Sequence, residues 1–184
     1  MPVTSEPGLK PVANNRFSVS VLICLVLSVC TIKHVQADSL GKINIDITTH
    51  LGDVKQFQEG DRIAFLLSLD TDAYLTVLYQ NAAGEIIQLL PNRHQLTFFY
   101  KAGLFLSLPD PNSSFAFTIQ PPFGQETLWV FAADLPLPAL PGFYLADGLK
   151  KLSVGMSLIR KKLAAHPKSA YGEARLVLST QARK

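Results

Sequence analysis

From Glu59 to Asn92 the chain reads EGDRIAFLLSLDTDAYLTVLYQNAAGEIIQLLPN, three apolar runs parted by two turn signals. Short apolar runs bounded by breakers fit strands rather than helices. Ile63, Phe65, Leu67 and Leu69 fall on one face of the first run, with Arg62, Ala64, Leu66 and Ser68 opposite. Asp70-Thr71-Asp72 ends it, because short polar side chains compete for backbone hydrogen bonds and favour turns. Ala73 to Gln80 is rich in β-branched and aromatic residues and reads as a second strand. Asn81-Ala82-Ala83-Gly84 suits a four-residue hairpin loop, with Gly84 in the left-handed position. Glu85 to Leu90 returns, and Pro91, which has no N–H for a ladder, stops it.

Downstream the pattern repeats with shorter pieces. After a stretch at 94–100 that contains Thr97-Phe98-Phe99-Tyr100, strands are expected at 104–108, 115–119 and 126–133, the last carrying Trp129, the only tryptophan. Upstream, Ile43, Ile45 and Ile47 alternate with polar residues across a strand at 38–49, and 51–59 reads as a polar connection. Turn signals at this spacing predict a mainly β chain, a β-sandwich or partly open barrel. The Pro-rich stretch 135–141 reads as a stiff connection leaving the sandwich. A helix is predicted over 148–165. Leu149, Leu152, Met156, Ile159 and Leu163 fall within about 80° of one another, with Lys150, Lys151, Lys161 and Lys162 opposite. A final strand at 172–180 alternates Ala174, Leu176 and Leu178 against Glu173, Arg175 and Val177, and returns to the sheet.

Glu-Gly-Asp at 59–61, Asp72-Ala73-Tyr74-Leu75, Gly84, Leu90-Pro91-Asn92, Ala102-Gly103, Pro109 and Pro122-Phe123-Gly124-Gln125-Glu126-Thr127 together resemble the domain of unknown function 4384 family. The resemblance covers 43–137. It implies a bacterial, mostly β module with no established activity, often found in envelope proteins or joined to protease-like or kinase-like domains. Within that pattern Gly60, Asp61, Tyr74, Leu75, Gly84, Pro91, Asn92, Gly103, Pro109, Gly124 and Glu126 are read as structural residues. No fused domain is expected in this chain, so any partner activity would come from another chain.

The N-terminus predicts export. A weakly basic segment precedes an apolar run at 17–32, which falls short of the about 20 residues a membrane-spanning helix needs. Val35-Gln36-Ala37 offers small residues to a signal peptidase, so residues 1–37 read as a signal peptide cleaved between Ala37 and Asp38. Retention of 17–32 as an anchor, or lipidation at Cys30, are the alternatives. Cys24 and Cys30 both lie in the run, so a chain cleaved after Ala37 has no thiol chemistry. The expected compartment is a bacterial periplasm or the exterior.

Residues 38–184 suit one domain. Residues 38–148 carry five Lys/Arg against twelve Asp/Glu, whereas 149–184 carry nine against one Glu. A basic tail packing on an acidic body accounts for this, and an acidic body argues against nucleic acid. His50, His94 and His166 have no partner at metal-ligand spacing and sit in expected loops, so no metal or cofactor is expected. Asp70 and Asp72 read as turn formers rather than calcium ligands. Asp61 and Glu126 show no pairing that would make them an acid and a base. Nucleophile elbow, P-loop and dinucleotide fingerprints are missing.

The expectation is therefore a non-catalytic interaction module of an envelope complex, with a protein partner and no obligatory small molecule. Its candidate surface is Pro91, Asn92 and His94 together with Pro122, Phe123 and Gly124. The alternative is a carbohydrate- or peptidoglycan-binding module stacking sugars on Trp129, Tyr79 and Tyr100. The basic helix could touch a membrane peripherally, but a strand that must return to the sheet favours packing of its stripe on the sandwich.

Overall fold

The segment Ala73–Gln80 is buried on both of its faces, with Leu75, Val77 and Tyr79 on one and Thr76 and Leu78 on the other. A strand sealed on two sides needs a layer over each, and the computed structural model shows three layers. The structure describes residues 41–52, 56–96, 98–112, 116–166 and 170–184. The leader read at 1–37, its Ala37–Asp38 junction and Cys30 lie outside them, as does Phe115. Every described residue belongs to one compact unit, Asp38–Lys184.

In chain order the strands are β1 (Gly41–Lys42), β2 (Ile45–Thr49), β3 (Gln56–Gln58), β4 (Arg62–Ile63), β5 (Phe65–Leu69), β6 (Ala73–Gln80) and β7 (Ile86–Leu90). They continue with β8 (Phe99–Tyr100), β9 (Leu106–Leu108), β10 (Phe117–Thr118), β11 (Gln125–Ala133), β12 (Gly142–Tyr144) and β13 (Lys150–Leu152). Helix α1 (Met156–Ala165) and strand β14 (Ala170–Gln181) close the chain. The large sheet runs β1-β14-β11-β6-β7-β13-β12, with β3 on β14 and β8 on β6. A three-stranded sheet, β2-β5-β9, and a two-stranded one, β10-β4, cover one face. The fold is mainly β with several sheets, no closed barrel among the described residues, one late helix and a returning final strand.

Two cores lie on either side of the large sheet. Between the sheets, Phe65, Leu67 and Leu69 meet Leu75, Val77, Leu128, Val130, Leu176 and Leu178. On the outer face, Leu78, Trp129 and Phe131 meet Leu140, Leu152, Ile159 and Leu163. The expected inward sets of β5 and β14 are therefore the observed ones. The hairpin turn is also as expected: Gly84 has φ +84° and Asn81 Oδ1 accepts from Glu85 N at 2.9 Å. Two ion pairs, Arg183–Asp61 and Lys151–Glu85, join the basic tail to the acidic body.

Four expectations need correction. The helix starts at Met156, not 148, because Lys150 and Lys151 pair with Gln88 and Ile87 on the open edge of β7. The Leu149–Leu152 spacing fits a helix, but an unsatisfied strand edge outweighs it. The run at 61–69 breaks at Ala64, whose N–H and C=O both turn to His50. The expected connection at 51–59 contains β3, which pairs in parallel with β14. The Pro-rich stretch does not leave the sandwich. Leu140 is buried beneath the helix, and the carbonyls of Leu140 and Ala139 accept from Lys150 and Lys162 at 2.6 and 2.7 Å.

Leu163 is fully buried against the sheet, while Leu158 on the opposite side of α1 is exposed. Leu163→Ala is expected to lower the unfolding free energy by about 2–5 kcal/mol. Leu158→Ala should change it by less than about 0.5 kcal/mol. Urea titration of the two variants checks the contrast.

Candidate functional site

Strand β6 is longer than its neighbour. β7 pairs with it only from Gln80 back to Val77, where Leu90 gives way to Pro91. The ladder resumes at Tyr74 and Ala73 with Phe99 and Tyr100 of β8, and Leu75 N reaches Phe98 O at 2.9 Å. Between Leu90 and Phe98 the chain leaves the sheet as a loop.

Asn92 ties that loop. Its Oδ1 accepts from His94 N and Gln95 N at 2.9 and 3.0 Å, and its Nδ2 donates to Leu89 O at 3.1 Å. The Leu-Pro-Asn motif is thus a strand stop followed by a loop lock, and the Asn92 amide has little left for a ligand. His94 packs on Gly148, where a Cβ would stand 2.5 Å from Nε2, and Gly148 has φ +85°. The positive φ favours glycine there, and any larger residue would also displace the His94 ring.

Beneath the loop lies a cavity of about 540 Å³. Phe65, Leu89, Leu90, Phe98, Leu106, Leu108, Phe117 and Leu149 supply its apolar lining. Its polar lining is Asn92, His94, Gln95, Ser107, Asp110 and Asp147. This size, with apolar walls and a few polar groups, suits ligand binding. Ser107 Oγ donates to Pro109 O at 3.1 Å. Asp110 and Asp147 each accept one backbone N–H of their own turn, from Asn112 and Leu149, at 2.8 and 2.9 Å.

At the other end of the β6–β7 hairpin a carboxyl is buried. Glu126 keeps 2% of its surface and accepts from the Tyr79 hydroxyl. Burial raises its pKa above the usual carboxylate range, against the opposing hydrogen bonds from Tyr79 and Thr180. Burial, with the Glu126 bond and charge, pushes the Tyr79 hydroxyl up as well. Acid–base chemistry on a substrate needs contact with it, and this carboxyl is sealed in the core. Its role is to tie β11 to β6 and β14.

The remaining family-pattern residues lie in turns, in strands and on the cavity wall. Gly60 turns with φ +84° and donates to Ile119 O, and Asp61 caps that turn through Gln58 N at 2.8 Å. Tyr74 packs on Phe99 at 5.0 Å, and Leu75 is core. Gly103 donates to Leu69 O, Gly124 donates to Thr180 Oγ1 at 3.1 Å, and Pro109 borders the cavity. Asp70 and Asp72 accept from Asn44 N and Ala102 N, 26 and 30 residues away, so beyond the turn they occupy they tether it to distant segments. His50 accepts from Ala64 N, and His166 Nε2 lies 3.0 Å from Pro136 O. Among the described residues no group of three His, Cys, Asp or Glu is placed to hold a metal ion.

The residues 56–136 match the model of the family described as Domain of unknown function (DUF4384). This stretch belongs to that family. Comparison with curated proteins and with solved structures finds no match. The DUF4384 stretch contributes most of the cavity wall, while Asp147 and Leu149 come from beyond it.

The candidate surface read from the sequence is split. Pro91, Asn92 and His94 sit at the loop end of β7. Pro122, Phe123 and Gly124 lie by the hairpin turn, where a Cβ on Gly124 would meet Ala82 at 3.1 Å. The first follows β7 and the second precedes β11, the two strands that flank β6, and they lie toward opposite ends of β6. Asp110, Asp147 and β9 were not among the candidates. Each looks like ordinary turn or strand chemistry until the topology brings them together.

Asn92→Ala removes three hydrogen bonds that organise the loop. A loss of about 1–3 kcal/mol is expected, with shifted amide resonances confined to 88–98 and 147–149. Glu126 gives a pH test. Its folded pKa lies above its ordinary value of 4.5. Its contribution to stability is therefore complete below that value and is lost as pH rises through the folded pKa. The unfolding free energy of wild type minus that of Glu126→Gln is expected to fall as pH rises from 4.5. A difference that grows with pH would mean the carboxylate is held as an anion.

Proposed function

We propose that the domain is a non-catalytic interaction module, an accessory or assembly component of a bacterial envelope complex. The observation that carries this reading is the cavity beneath the loop that follows β7, residues 91–96. It has an apolar lining and a polar rim, and its histidine and carboxylates are engaged in turns and packing rather than arranged around a nucleophile. The leader-like sequence at 1–37 supports export to the periplasm or beyond, and the family resemblance supports an envelope setting.

Two other surfaces offer less. Ile159 and Leu163 of the basic helix are buried in the domain's own core, so the reading draws on the cavity rather than on membrane contact through α1. The sugar-binding reading needs exposed aromatic faces. Trp129 and Tyr79 keep only 9% of their surface each, and Tyr100 is half-buried.

The test is crosslinked capture of the natively exported protein from the envelope fraction, comparing wild type, Gln95→Trp and Leu158→Ser. Gln95 is exposed and borders the cavity, so tryptophan there occupies it without replacing a core side chain. A stoichiometric protein partner is expected with wild type and Leu158→Ser. Recovery with Gln95→Trp should drop about tenfold, which is a change of about 1.4 kcal/mol. Capture of glycan fragments alone, or a hydrolytic activity that survives purification and dies with one point mutation, would overturn the reading.

A further inference from the structure

Three consecutive residues of β9, Leu106, Ser107 and Leu108, line the cavity. Side chains alternate across a strand, so a void touched by three residues in a row runs along the strand's edge and not over one face. β9 pairs with β5 in the register Phe65↔Leu108, Leu66↔Ser107 and Leu67↔Leu106. Among the described residues nothing pairs with its other edge. That edge therefore presents backbone N–H and C=O groups toward a space with apolar walls. Natural sheets keep such edges short or guard them with charge or proline; β9 is three residues long with Pro109 and Asp110 after it, and within Leu-Ser-Leu itself no charge or proline blocks pairing.

The flanks of the cavity are unusually apolar for a surface. Phe105, directly before β9, is 77% exposed, and Leu96, next to the cavity-lining Gln95, is 71% exposed. No other large apolar side chain among the described residues is as exposed as these two. Each is a sequence neighbour of a lining residue, Leu96 of Gln95 and Phe105 of Leu106, and exposed apolar side chains at a site's margin suit a contact surface. The rim adds charge. Asp110 and Asp147 both border the cavity and each spends one oxygen on its own turn. Neither takes part in an ion pair among the described residues, and His94 is the only other titratable side chain in the lining.

We propose that this cavity receives an extended basic–apolar peptide segment of a partner protein, which adds to β9 as a further strand. An apolar side chain of the segment enters between Phe98, Leu106 and Phe117, and a neighbouring Lys or Arg reaches Asp110 and Asp147. Strand addition supplies the missing main-chain partners, and the pocket reads alternate side chains. A lipid tail would fill the apolar part but leave the β9 amides unpaired. The two aspartates on the rim, Asp110 and Asp147, favour a cationic partner over an anionic one. The inference rests on the interaction-module reading and names the partner's chemistry.

The experiment is selection from a random peptide display library against the protein expressed from the full sequence. Gln95→Trp serves as the counter-target. Enriched peptides are then resynthesised in plain and alternately N-methylated forms and titrated by fluorescence anisotropy. Enrichment of peptides alternating apolar residues with Lys or Arg is expected. Affinity should fall about tenfold with Asp110→Asn/Asp147→Asn, a pair that keeps the turn-forming oxygens. N-methylation, which blocks strand pairing without altering the protein, should abolish binding.

Enrichment of acidic or uncharged peptides, indifference to the aspartate variant or to N-methylation, or no enrichment over Gln95→Trp would overturn the proposal. Concentration-dependent self-association that competes with the peptides would replace the partner by a second copy and overturn it too. An envelope partner that needs the open cavity but ignores both aspartates would sink this inference and leave the interaction-module reading standing. Loss of both the cavity-dependent partner and the peptides would sink the two together.

Discussion

The ladder between β6 and β11 is the constraint on which the rest depends. Both strands are buried on both faces, so neither can face water on either side. Apolar burial stabilises in proportion to the area removed from solvent, at roughly 25 cal/mol per Å². The small sheets cover one side, and the helix with the Pro-rich strap covers the other. The strap's carbonyls are satisfied by lysines from β13 and α1. The basic tail is therefore part of the covering layer and not a separate appendage.

The site follows from a mismatch in that same ladder. β6 continues past the point where Pro91 ends its neighbour, and β8 has to supply the remaining pairs. The chain between them leaves the sheet and is locked by Asn92. β9, reached shortly afterwards, belongs to the facing sheet. The two sheets thus diverge around a void that neither fills. A proline at the end of one strand and a short strand in the opposite sheet together produce an open edge beside an apolar cavity.

Much of this fold was legible in the sequence. β5, β6, β7, β11 and β14 carry their own signal, since alternation and β-branched residues act locally. β3, β12 and β13 do not. Each has three residues, and each exists because an adjacent strand offers free N–H and C=O groups. The same cause hid the start of the helix, where Lys150 and Lys151 join β7. Of the site, Pro91, Asn92 and His94 were visible as a motif, but whether they bind or brace was not. Asp110 and Asp147 lie far apart in sequence, and only the crossing from one sheet to the other brings them to one cavity.

The claim that most needs testing is the open edge of β9. Amide hydrogen exchange of the free protein, resolved by residue, addresses it directly. The interior amides of β6 and β11 should exchange only through global unfolding. At least one amide among Leu106, Ser107 and Leu108 should exchange without protection, because one edge of β9 has no partner. Full protection of all three in the free protein would contradict the account, since the edge would then already be occupied.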